Sequence, residues 1–148
     1  MVTPTVRREI AGPTSAGALH PVTPTRIYDS RVGTPSFGRL EPGQARVISV
    51  ADGRNLDTGV VTVPDLVPAG ATAIMYTVTV TQTVGPGYLQ VTPAAATGIT
   101  ASTINWTEDD TTIANSSMVG LSDDRLIRVF CPPTASTHFI VDVLGYYA

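Results

Sequence analysis

The sequence predicts an all-β domain: a two-sheet antiparallel β-sandwich, the jelly roll being one form of it, preceded by an extended N-terminal arm. Three observations lead there. Over residues 71–83, Ile74, Tyr76, Val78 and Val80 alternate with Met75, Thr77, Thr79 and Thr81. That is the period of two of a half-buried strand, and a helix would mix the two sets. Short apolar runs recur along the chain between Pro, Gly and Asp clusters that mark turns. Charged residues make up only 14% of the chain, against about a quarter in an average protein. Thr and Val are abundant instead, as in strands whose outer faces are covered by hydroxyls.

Residues 1–22 form the arm, rich in Pro, Thr, Gly and Ala and without sustained periodicity. The sandwich domain spans 23–148. Gln44–Val50 alternates weakly, Ala45, Val47 and Ser49 against Arg46, Ile48 and Val50. Gly59–Val63 is a Val-rich strand stopped by Pro64, and Val67-Pro68-Ala69-Gly70 is a turn. Gly85-Pro86-Gly87 reads as the turn of a hairpin from the 71–83 strand into Tyr88–Thr92. Thr103–Trp106 and Thr112–Leu121 follow, parted by Glu108-Asp109-Asp110. Arg125–Cys131 sets Leu126, Arg128 and Phe130 opposite Ile127 and Val129, and Pro132-Pro133 ends it. Thr137–Tyr147 closes the domain, with Phe139, Val141 and Val143 on one face. About eight or nine such strands make a sandwich.

Composition removes several functions. The net charge is −3, which argues against a nucleic-acid partner. All nine basic residues are Arg, so Schiff-base and P-loop lysine chemistry is excluded. The apolar runs are too short for a membrane span, and no secretory leader is visible. Cys131 is the single cysteine and is expected as a buried strand-end thiol. His20 and His138 show no zinc spacing, and the acidic turns at 108–110 and 123–124 read as solvated rather than as Ca²⁺ ligands. No G-x-S-x-G elbow or marked carboxylate pair appears. The chain is therefore expected to be non-enzymatic, without metal or cofactor.

Two segments frame the domain: Thr23–Arg31, and Ser136–Ala148 at the end. Each places charge within or beside an apolar run. Arg26, Asp29, Arg31 and Asp142 are expected to form a structural ion network joining first and last strands, because charges in apolar β contexts are usually paired. An Arg pair binding a sugar acid or phosphate is the functional alternative. Trp106 and Tyr88 are the candidate ligand-stacking residues, although aromatic content is only 6% and core packing is the default for Trp106. Asn105-Trp106-Thr107 and Asn115-Ser116-Ser117 fit the glycosylation pattern but fall in strand-like segments.

The segments Pro21–Arg31, Val67–Ala73, Gly87–Pro93, Ser102–Trp106, Ala114–Leu121 and Ser136–Tyr147 occur in the order seen in a repeat domain of actinobacterial secreted and surface proteins, which this chain resembles. One mismatch falls in the first motif, Val22 for Leu. The resemblance implies an all-β module for attachment or architecture. A single copy with an arm, no leader and no catalytic partner domain resembles a phage structural protein. The expected function is thus a virion component, a head-decoration or tail-associated protein at the virion surface. Its expected partners are protein subunits, in a homo-oligomer with a trimer as first choice. The rival expectation is a carbohydrate- or cell-wall-binding module, bacterial-surface or extracellular, with a glycan as ligand.

Overall fold

The computed structural model describes residues 17–33, 38–97 and 100–148. Ten strands follow in chain order: β1 (Leu19–Asp29), β2 (Ala45–Ser49), β3 (Gly53–Arg54), β4 (Val61–Val63), β5 (Ala73–Val84), β6 (Gly87–Pro93), β7 (Ile104–Trp106), β8 (Ile113–Gly120), β9 (Leu126–Phe130) and β10 (Ser136–Tyr147). The described residues contain no helix. One four-stranded sheet runs β1-β10-β5-β8 and the other β2-β9-β6-β7, with β3 and β4 as a small separate ribbon. All pairings are antiparallel. The molecule is a two-sheet β-sandwich.

The pairing is nested. β1 pairs with β10, β2 with β9, β5 with β8, and β6 with β7. The eight main strands thus trace one long hairpin, with its tip at β6–β7, folded over so that β10 also meets β5 and β9 meets β6. Every connection between main strands except β6 to β7 crosses from one sheet to the other.

This order corrects the hairpin expected at Gly85-Pro86-Gly87. β5 and β6 lie in different sheets. Both edges of β5 are already taken, by β10 and β8, so the chain must leave the sheet. Gly85 makes the exit at φ +72, where a Cβ would stand 2.7 Å from the Thr134 carbonyl oxygen; only glycine fits there. Its N–H donates to Asp109 Oδ1 at 2.7 Å, which ties the acidic turn to the crossing. β1 begins at Leu19, so the last expected arm residues belong to the sheet. Residues 1–16 of that arm lie outside the described residues. β3 was not anticipated; two residues carry no period.

The alternation of β5 places Ile74, Tyr76, Val78 and Val80 in the core, all 0–1% exposed. Phe139, Val141 and Val143 of β10 join them, and Leu89, Ile127 and Val129 face them from the second sheet. Phe139 is held on two sides. The Tyr28 ring stacks on it at 4.8 Å between centroids, and the Arg46 guanidinium lies 5.9 Å from its centroid. Replacing Phe139 by Ala removes the ring that both groups pack on. Phe139→Ala is expected to cost about 3–5 kcal/mol of stability, checked by urea unfolding.

The first-to-last strand clasp as candidate functional site

Among the described residues β1 is an edge strand, paired within its sheet with β10. The register pairs Arg26 with Asp142, then shifts, so that Tyr28 pairs with Val141 and Asp29 with Ile140. Ile27 is therefore an extra residue in β1, a bulge. In an unbroken strand Arg26 and Tyr28 would share a face, and Arg26 and Asp29 would lie on opposite faces. The bulge changes the phase. Tyr28 enters the core at 2% exposure, while Arg26 and Asp29 both project from the outer side.

Each acid then meets an arginine. Arg26 Nε donates to Asp142 Oδ1 at 2.8 Å, and Nη2 to Oδ2 at 3.3 Å. Arg31 Nε donates to Asp29 Oδ1 at 2.9 Å, and Nη2 to Oδ2 at 2.8 Å. The Arg31 backbone N–H adds a third bond to Asp29 Oδ1 at 3.0 Å. Arg26 Nη1 stands 4.0 Å from Asp29 Oδ2 and links the two pairs. Asp29 is only 4% exposed. Burial pushes its carboxyl up, but the hydrogen bonds and charge of Arg31, aided by Arg26, outweigh burial and hold it below the usual carboxylate range. The guanidinium of Arg26 is raised by its bond to Asp142, and that of Arg31 by its bond to Asp29.

Ser30 continues the clasp. Its N–H donates to the Phe139 carbonyl at 3.0 Å, and its Oγ accepts the Phe139 N–H at 2.9 Å. The same Oγ shares a 2.8 Å hydrogen bond with His138 Nδ1. Burial, followed by the charges of Arg39 and Arg31, holds His138 below its ordinary value despite the opposing charge of Asp29. Although Ser30, His138 and Asp29 are close in this region, Ser30 is fully buried and the Asp29 carboxylate faces Arg31. Thr137 locks the next residue: its N–H and C=O exchange hydrogen bonds with Leu40, and its hydroxyl donates to the Thr81 carbonyl at 3.2 Å.

Sequence reasoning missed Arg46 and Ser30. Arg46 points inward from β2 and donates to Tyr28 Oη and the Gly38 carbonyl, both at 2.8 Å. Its place in the Arg46-Ile48-Val50 alternation was the available signal. Ser30 had none, because its role depends on a strand more than a hundred residues away.

Elsewhere the candidate residues fall apart. Trp106 is 4% exposed and donates its indole N–H to the Gly85 carbonyl, so it offers no face for stacking. Tyr88 is half-buried beside a polar groove of about 320 Å³ lined by Thr100, Ala101, Ser102 and Asn105. The Asn105 and Asn115 side-chain amides donate to Ser102 Oγ and the Thr103 carbonyl. His20 stacks on Tyr146 at 5.0 Å, at the opposite end of β10 from His138. Among the described residues, no three His, Cys, Asp or Glu side chains are grouped to hold a metal. The Cys131 thiol is buried, donates to the Ala135 carbonyl at 3.2 Å, and is pushed up to about 11 by burial and then by the Glu41 charge. No family model matches the chain, and no curated protein matches it.

The two ion pairs differ in weight. Arg26 is 47% exposed, so Asp142→Ala is expected to cost at most about 1 kcal/mol. Asp29 is buried, and Asp29→Asn is expected to cost about 1.5–3 kcal/mol at neutral pH. A depressed carboxyl contributes fully above its unfolded value of about 3.9 and loses that contribution as pH falls through its folded value. The stability gap between Asp29→Asn and the parent should hold constant down to about pH 4 and close below it, as read from urea midpoints along a pH series.

Proposed function

We propose that this chain is a non-enzymatic structural protein with jelly-roll connectivity, a phage virion component of the head-decoration or tail-associated kind. It binds an assembled particle through contact area and stabilises it, as part of a homo-oligomer at the virion surface. An actinobacterial host is part of this reading, in keeping with the resemblance to actinobacterial surface modules. The nested strand pairing supports the jelly-roll reading.

One observation carries the reading: the outer face of the β1-β10-β5-β8 sheet. A row of side chains crosses all four strands in register, Arg26, Asp142, Thr77 and Ser116. They are mutually satisfied, the Arg26–Asp142 pair at one side and a 2.8 Å hydroxyl–hydroxyl bond between Thr77 and Ser116 at the other. Beyond the row lie half-exposed Leu144 and Met75 and exposed Met118. A broad, charge-balanced surface of hydroxyls and apolar side chains suits a large protein partner, where area and shape supply the affinity. A small charged substrate would have to displace the internal pairing.

The second reading, a carbohydrate- or cell-wall-binding module, draws on the groove beside Tyr88, where a half-buried ring adjoins hydroxyl and amide groups. Trp106, being buried, contributes nothing to it.

The test is size measurement and imaging of particles from the native source. The chain is expected at fixed stoichiometry as a repeated surface feature, and Thr77→Lys should abolish its rebinding to stripped particles while leaving it folded. Absence from particles, with glycan binding that Tyr88→Ala removes, would reverse the order of the two readings.

A further inference from the structure

The described residues include four edge strands in the two main sheets: β1, β8, β2 and β7. Exposed edges present unpaired backbone groups that recruit other strands unless they are blunted. Three of these edges are blunted. β1 contains Pro21 and Pro24 and breaks register twice along its pairing with β10. β2 has five residues, one of them Arg46, and β7 has three. β8 is different. It is eight residues long, Ile113 to Gly120, without charge, proline or register shift.

The sandwich is also incomplete beside β8. Ile113, Asn115, Ser117 and Val119 pair with the inward residues Val80, Val78, Tyr76 and Ile74, so their side chains point inward. Yet Ile113 is 37% exposed, and Asn115 is exposed too. On the outer side Met118 is 58% exposed. Among the described residues, β8 thus has no partner on its outer edge and an exposed apolar side chain on each face.

We propose that β8 is a self-association site, where the β8 strand of a second copy pairs antiparallel about a two-fold axis. The second copy fits for three reasons. A strand without charge meets no like charge when paired with itself. A two-fold axis perpendicular to the sheet keeps inward faces on the same side, so the register must centre on a residue rather than between two. Centred on Ser116, the register sets Met118 against Ala114 on the outer face and Ile113 against Val119 on the inner face. Both exposed apolar side chains are then covered, and two four-stranded sheets become one of eight. This contact joins copies in pairs and is distinct from the three-fold contact of a trimer. It needs only a second copy, so it stands whether or not the particle reading holds.

The test uses the full chain in three forms: parent, Ala114→Lys and Ser116→Cys. Analytical ultracentrifugation of the parent should show a reversible species of twice the chain mass. Ala114→Lys, folded by its melting curve, should weaken that association at least about tenfold. In Ser116→Cys the two introduced cysteines stand directly opposite, with Cα atoms about 4.5–5.5 Å apart, within the span a disulfide bridges, so mild oxidation should give a disulfide-linked dimer. Cys131 is buried and does not compete. A parent that stays monomeric, with or without exchange-protected β8 amides, overturns the proposal. So does an Ala114→Lys variant that associates as the parent does. A Ser116→Cys chain that crosslinks no faster than Thr58→Cys, placed on an exposed loop residue, overturns the register.

Discussion

One extra residue, Ile27, sets the relation between the core and the charged outer surface. A regular strand alternates faces, and β1 has to bury Tyr28 while keeping Arg26 and Asp29 on a common side. Only a change of phase satisfies both, and the register shift between Arg26 and Tyr28 is that change. Tyr28 then stacks on Phe139 and receives the Arg46 donor. Asp29 becomes the buried acceptor for Arg31, and Arg26 reaches Asp142. Core packing and ion pairing thus depend on the same local irregularity.

The clasp matters because of the topology. A hairpin rolled on itself brings the two chain-distant ends, β1 and β10, together last in sequence terms, across the longest loop the fold closes. Such a pairing needs interactions that favour it specifically. A slip by two residues would keep apolar side chains on the buried face, whereas the Ser30–Phe139 exchange and the bidentate Arg26–Asp142 pair are satisfied in one register only. The Arg26–Asp142 pair thus acts as a register pin, while Arg31 neutralises the buried Asp29 within its own segment.

Much of this was legible in the sequence, and unevenly so. The faces of β5 and β9 could be read directly, because each is a regular strand with an apolar side. The membership of Arg26, Asp29, Arg31 and Asp142 in one neighbourhood followed from the cost of unpaired charge in apolar segments. The bulge was not legible: nothing in Arg-Ile-Tyr-Asp marks one residue as extra. The sheet change after β5 was also hidden, since Gly85-Pro86-Gly87 serves a crossing as well as a hairpin. Which edges a strand has free is decided by partners far away in sequence. For the same reason β8 looked like any other strand until its neighbours were known.

Native-state amide hydrogen exchange tests the central role of the clasp most directly. The Ser30 N–H bonds to the Phe139 carbonyl, and the Phe139 N–H to Ser30 Oγ. If the clasp closes the domain, both amides exchange only with global unfolding, at the opening free energy of Val78 in the middle of β5. If they exchange through a cheaper local opening while Val78 stays protected, β1 is an ornament on a sandwich that holds without it, and the account is wrong.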